Sequence, residues 1–169
     1  MGAPDEGDLD HVGRIMVKWH VARPDLDVSP QGVIGRLHRL AARLTEELVA
    51  VYGEFGLGEG EFDVLATLRR EGAPYEMTPG DLADWTMVSS GAVTKRVDRC
   101  VEQGWVTRRV SDDDARGRVV ALTDAGRDLI DRAFVAHLAN EHRLVGMIDE
   151  TERARLARTL ESWGRALDD

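Results

Sequence analysis

Cysteine occurs once in the 169 residues, at Cys100, which excludes an internal disulfide and a cysteine-based zinc finger. No apolar run approaches the roughly 18 residues that a membrane-spanning helix needs. Met1 to Asp8 is acidic and carries no apolar stretch, so no secretory signal is expected there and the chain is expected in the cytoplasm. The G-x-S-x-G elbow, the phosphate-binding loop and G-x-G-x-x-G are all missing. With no nucleophile–base pair in view, no catalytic residue is assigned and an enzyme is not expected. His11, His20, His38, His137 and His142 lack the spacing of a shared metal site, and Asp112-Asp113-Asp114 lacks the rest of a calcium loop. No metal or cofactor is therefore expected. Cys100 sits among apolar positions, where a thiol packs as a small hydrophobe rather than a redox sensor. Positive charge is short as well: the net charge is −9, which at first sight counts against nucleic acid.

What is present reverses that impression locally. Net charge sums over the whole surface, and DNA meets one face. Between Ser89 and Val110, Lys95, Arg96, Arg99, Arg108 and Arg109 outnumber Asp98 and Glu102. The composition, 43% apolar and 31% charged, is that of a folded chain with a sizeable core.

Apolar spacing predicts a helix over Leu9–Ala22, through Val12, Ile15, Met16 and Trp19. Arg23-Pro24-Asp25 breaks it. Ser29-Pro30 opens a long helix as N-cap and first turn, running to Tyr52. Glu59–Arg70 is a third helix and Gly80–Trp85 a short fourth. A fifth runs from about Ser90 to Gln103, stopped by Gly104. The period then changes to two. Residues 105–110 and 118–122 read as a strand pair around the turn-rich 111–117. Thr123 caps a helix to about Ile148 and Thr151 a last one to about Leu167.

Short helix, turn, helix and hairpin together make a helix-turn-helix with a wing. On a wheel of about 3.6 residues per turn, Val93, Val97, Cys100 and Val101 share the inward side of the fifth helix. Thr94, Lys95, Asp98 and Glu102 share the opposite side. Small residues at its start, Ser89, Ser90 and Gly91, suit phosphate contacts through hydroxyls and backbone N–H groups. Lys95 and Arg99 are placed to meet phosphate or guanine. In the hairpin loop Arg116 and Arg118 suit a minor groove, with one or more of Asp112, Asp113 and Asp114 folding back on an arginine. Arg96 falls beside the inward stripe, away from Lys95, and an inward guanidinium needs an anionic partner.

The run Leu82-Ala83, Met87-Val88-Ser89-Ser90-Gly91-Ala92-Val93-Thr94-Lys95-Arg96-Val97-Asp98-Arg99 and Gly104-Trp105-Val106 resembles the DNA-reading segment of MarR-type regulators. Asp114-Ala115-Arg116-Gly117-Arg118 through Thr123-Asp124-Ala125-Gly126 resembles the wing signature of that family. The resemblance covers roughly residues 33–166. It implies a mostly α fold with a small β-wing: a winged helix-turn-helix homodimer joined through N- and C-terminal helices, with its wings flanking a palindromic operator. The extra N-terminal helix ending Lys18-Trp19-His20, with Arg23-Pro24-Asp25-Leu26, Val33-Ile34-Gly35-Arg36-Leu37 and Gly60-Glu61-Phe62-Asp63-Val64-Leu65, resembles the urate-responsive, PecS-like subgroup. That resemblance implies a ligand site on Trp19, Asp63 and Arg96. The subgroup also uses an asparagine near the aspartate, and none lies between Asp63 and Arg96.

The chain is thus expected to divide into residues 1–54 (dimerisation and ligand pocket), 55–122 (DNA-binding domain) and 123–169 (dimerisation helices). The function expected is a ligand-responsive transcriptional regulator acting as a repressor. Its partners would be double-stranded DNA, a second copy of itself, and urate or a related purine or phenolic anion, with no membrane. The alternatives from other classes are a small ligand-binding protein or enzyme using the Trp19 pocket without DNA, and an adaptor built on the terminal helices.

Overall fold

A computed structural model describes residues 9–86, 90–110 and 118–168, and of residues 90–92 the backbone alone. The helices are α1 (His11–Ala22), α2 (Gln31–Glu54), α3 (Glu59–Glu71), α4 (Pro79–Trp85), α5 (Ser90–Glu102), α6 (Asp124–Val145) and α7 (Glu150–Asp168). The strands are β1 (Glu76–Met77), β2 (Val106–Val110) and β3 (Arg118–Leu122). Two compact units divide the chain between Glu47 and Leu48.

In the first unit Asp10 begins α1. Its carboxylate accepts from the Gly13 N–H at 2.7 Å and from two nitrogens of Arg36, both at 2.9 Å. The Arg36 guanidinium, ahead of the Gly13 N–H, pulls the Asp10 carboxyl down to about 2. Val12 is buried beside Gly35, where an added Cβ would lie 3.2 Å from Val12 Cγ1. Ser29 does not cap α2 with its hydroxyl as the sequence suggests. α2 starts at Gln31, and the Gly32 N–H donates to the Ser29 carbonyl at 2.9 Å while the Ser29 hydroxyl donates to Asp27 Oδ2 at 3.1 Å.

The second unit holds the core. Val64, Leu65 and Leu68 of α3, Leu82 of α4, Val93, Val97 and Cys100 of α5, Val106 and Val120 of the hairpin, and Ile130 and Ala133 of α6 pack into one cluster. Burying each large side chain contributes about 1.5–3 kcal/mol. Val101, expected inward, is 38% exposed, so the apolar stripe of α5 is narrower than its wheel implies.

β2 and β3 pair antiparallel from Val106↔Leu122 to Val110↔Arg118. The short β1 pairs with the far side of β3 through Glu76↔Ala121 and Met77↔Val120, giving the order β1-β3-β2. Two residues are too few to show a period, so β1 has no signature in the sequence.

Three local devices aim α5 and the hairpin. Gly104 takes φ 72°, and the Gly104 and Trp105 N–H groups donate to Val101 and Cys100 carbonyls, closing the α5 C-terminus in a Schellman arrangement. The Thr123 hydroxyl accepts from the Gly126 N–H at 3.0 Å, capping α6, and donates to the Gly104 carbonyl at 2.8 Å. Gly126 lets α6 press against the start of the hairpin: a Cβ there would lie 2.0 Å from the Trp105 carbonyl oxygen. For α7 the cap is Asp149 rather than Thr151. Its Oδ1 accepts from the Thr151 N–H at 2.8 Å, and Thr151 lies inside the helix, which begins at Glu150. No described helix is long and apolar enough to cross a membrane.

Candidate nucleic-acid interface and effector cavity

α4 and α5 pack on each other and on α3, and the exposed side of α5 carries Thr94 and Lys95. Among the described residues no ion pair engages Lys95 or Arg118, and both are exposed, as a cation offered to phosphate must be. Ser89 and Arg116 lie outside the described residues, as does the Ser90 side chain. So do Asp112, Asp113 and Asp114, with their suggested fold-back on an arginine.

Arg99, expected to meet phosphate or guanine, is exposed and also meets a carboxylate. Its Nη1 lies 3.2 Å from Glu61 Oε1; the Arg99 side chain is 72% exposed and that of Glu61 only 9%. Glu61 Oε2 meanwhile accepts from the Gly58 N–H at 3.1 Å at the start of α3. The glutamate is therefore held from below, and it presents a carboxylate to the recognition helix. Arg108 on β2 pairs with Asp98 and donates to the Thr94 carbonyl at 3.4 Å, tying hairpin to helix. Arg109 pairs with Glu76 at 2.5 Å on β1.

The inward cation found its partner. Arg96 Nη1 donates to Asp63 Oδ2 at 3.2 Å, with the side chains 25% and 34% exposed. Burial pushes the Asp63 carboxyl up, and the Arg96 and Arg70 charges only partly offset this. Gly60 lets the arginine stem cross α3: a Cβ there would lie 2.7, 2.8 and 2.9 Å from Arg96 Nε, Cδ and Cγ. Asp63 and Arg96 line a cavity of about 410 Å³ whose walls include Tyr52, Phe62, Arg70 and Trp85. Its floor is aromatic: Tyr52 and Phe62 stack at 3.9 Å between centroids. Burial raises the Tyr52 phenol to about 12, so it stays a neutral donor. Trp19, in the other compact unit, is 45% exposed.

Sequence reasoning missed Glu61, Gly60, Arg70 and Trp85. A weak signal existed for the first: Glu61 and Asp63 on one helix match Arg96 and Arg99 on another. Cys100 is fully buried, and burial, followed by the Glu61 charge, pushes its thiol up to about 12, which leaves it unreactive.

The MarR family model matches residues 55–117. The chain is 38% identical over 145 residues to the HTH-type transcriptional regulator PecS of Dickeya dadantii, covering 86% of this chain and 87% of that protein. A mutant MarR from E. coli, solved in complex with operator DNA, superposes with a TM-score of 0.70 at 26% identity, over 81% of this chain and 98% of that one. A MarR family transcriptional regulator from Streptomyces coelicolor superposes with a TM-score of 0.73 at 25% identity, over 85% and 98% of the two chains. The packed α4–α5 pair and its hairpin are thus shared with regulators across most of the chain's length. The protein belongs to the MarR family of winged helix-turn-helix transcriptional regulators, and is a DNA-binding regulator similar to PecS.

Proposed function

We propose that this regulator is a homodimeric, cytoplasmic repressor of a palindromic operator, released by urate or a related purine or phenolic anion bound at Asp63, Arg96 and Trp19. In this reading residues 55–122 read DNA, while 1–54 and 123–169 supply dimerisation, and the former also part of the ligand site. The carrying observation is the Arg96–Asp63 pair: the recognition helix sends one guanidinium away from DNA, to a carboxylate in a cavity. A guanidinium fork suits a planar anion through charge-assisted hydrogen bonds. An anion taking Arg96 repels Asp63 and breaks a contact that sets the position of α5 on α3. A coupling of about 1–3 kcal/mol then gives a roughly 5- to 150-fold loss of DNA affinity. Trp19 joins this site on the family resemblance.

Ser89, Ser90, Thr94, Lys95, Arg99, Arg116 and Arg118 are proposed as the DNA contacts. Arg99 has donors beyond the Nη1 that meets Glu61, and its side chain is 72% exposed. Gel-shift titration on the upstream intergenic DNA tests the whole reading. Urate should release the wild-type protein, and Arg96→Ala, Asp63→Ala and Trp19→Phe should blunt that release. Lys95→Ala should lower the salt slope of binding by about one unit. Equal release from wild type and all three variants would move the pocket elsewhere.

A further inference from the structure

We propose that Trp85 and Arg70 form a second wall of the effector site, the indole stacking on the ring of a planar heteroaromatic anion and Arg70 meeting an acceptor group on another of its edges. This rests on the reading of the Asp63–Arg96 cavity as the effector site. Trp85 is the last residue of α4, it lines that cavity, and it is 64% exposed. A side chain that carries this much apolar area usually sheds water when it has a partner. Its position is nevertheless fixed. The Trp85 carbonyl is one of the unpaired acceptors of the α4 C-terminus, and Arg70 Nη2 donates to it at 3.1 Å. The same guanidinium carbon lies 5.8 Å from the centre of the indole ring. Arg70 thus orients the indole from α3 while remaining exposed to the cavity.

Both Arg70 and Arg96 act on the Asp63 carboxyl, so the two cations share one small polar region. A ligand anionic or acceptor-bearing on a single edge satisfies one of them. A ligand with acceptors on two edges, as in an oxidised purine, satisfies both. Such a ligand touches α3, α4 and α5 together, and its occupancy sets the angle between the two helices of the DNA-reading motif. The switch then acts on the packing of α4 against α5 as well as at Arg96.

The test uses the full chain, with urate as the probe. Calorimetry on DNA-free protein gives its affinity, and gel-shift titration gives the midpoint of DNA release. Trp85→Ala should weaken urate binding to the DNA-free protein tenfold or more and raise the release midpoint in parallel. Trp85→Phe, which keeps a stacking face, should return to within threefold of wild type. Arg70→Gln should weaken urate binding at least fivefold. If Arg96→Ala loses the response while Trp85→Ala and Arg70→Gln keep wild-type urate affinity, the site stands and the second wall does not. If wild type binds no urate, the effector reading and this inference both fall.

Discussion

A single methyl group at residue 60 is enough to disturb the cation at the centre of the site. The Cβ of Gly60→Ala would crowd Arg96 at its γ, δ and ε positions, not only at its mobile tip. The arginine must then leave Asp63, while the core beneath is untouched. Gly60→Ala is expected to lower effector sensitivity about tenfold, the equivalent of about 1.4 kcal/mol of coupling. Its melting temperature should stay within a few degrees of wild type; an unchanged release midpoint would show that the crossing of α3 and α5 does not matter. Asp63 gives a pH signature. Its folded pKa is raised by burial above 3.8, so the folded state holds a proton more tightly than the unfolded chain. That contribution is fully present below 3.8 and is lost as pH rises through the raised value. Thermal melts should therefore show wild type gaining stability relative to Asp63→Asn as pH falls from neutral towards 4. A constant difference across that range would contradict the assigned cause.

Elements are positioned by contacts of only a few atoms. Thr123 caps α6 and also reaches back to the Gly104 and Trp105 carbonyls, so it binds the end of α5 to the start of α6. Urea unfolding of Thr123→Ala should show a loss at the upper end of the usual cap range, about 2 kcal/mol. Gly126→Ala should cost more than that, because the obstacle is backbone, the Trp105 carbonyl, and backbone does not swing aside. Element type and extent were largely legible from period and punctuation. α5 ends where Gly104 says it should, and the hairpin occupies the stretch where spacing falls to two. The Asp149 cap was missed because Asp149 and Thr151, two residues apart, both cap well by type, and only geometry chooses between them.

For the whole molecule, the proposed second copy is tested by the apolar residues left in water. α7 has no buried residue, although Leu156, Leu160 and Trp163 repeat along one face. Leu156 and Leu160 are 43% and 42% exposed, and Val135 on α6 is 70% exposed. A stripe at i, i+4 and i+7 is the pattern of a helix that buries one side. A two-fold partner covering it would match a palindromic operator. Sedimentation at micromolar concentration should give a dimer, and replacing Leu156 and Leu160 together by glutamate should shift it to monomer with loss of operator binding. A wild-type monomer under those conditions would remove the dimer from the proposal.

Periodicity and punctuation determined the helix-turn-helix and hairpin, because those signals are local: each depends on residues within one or two turns of one another. The inward direction of Arg96 was legible for the same reason. Its partner, Asp63, was offered by the family resemblance and not by local spacing. Asp63 does not fall inside on the wheel of its own helix, and it is half-buried because another helix crosses above it at Gly60. Charge alone likewise did not announce that Glu61, rooted at the Gly58 N–H, meets Arg99 from α3. The cavity joins residues from α2, α3, α4 and α5, and no spacing along the chain announces such a meeting. Which cations meet carboxylates and where Trp85 stands were decided by how the helices cross, since crossing depends on side chains far apart in sequence.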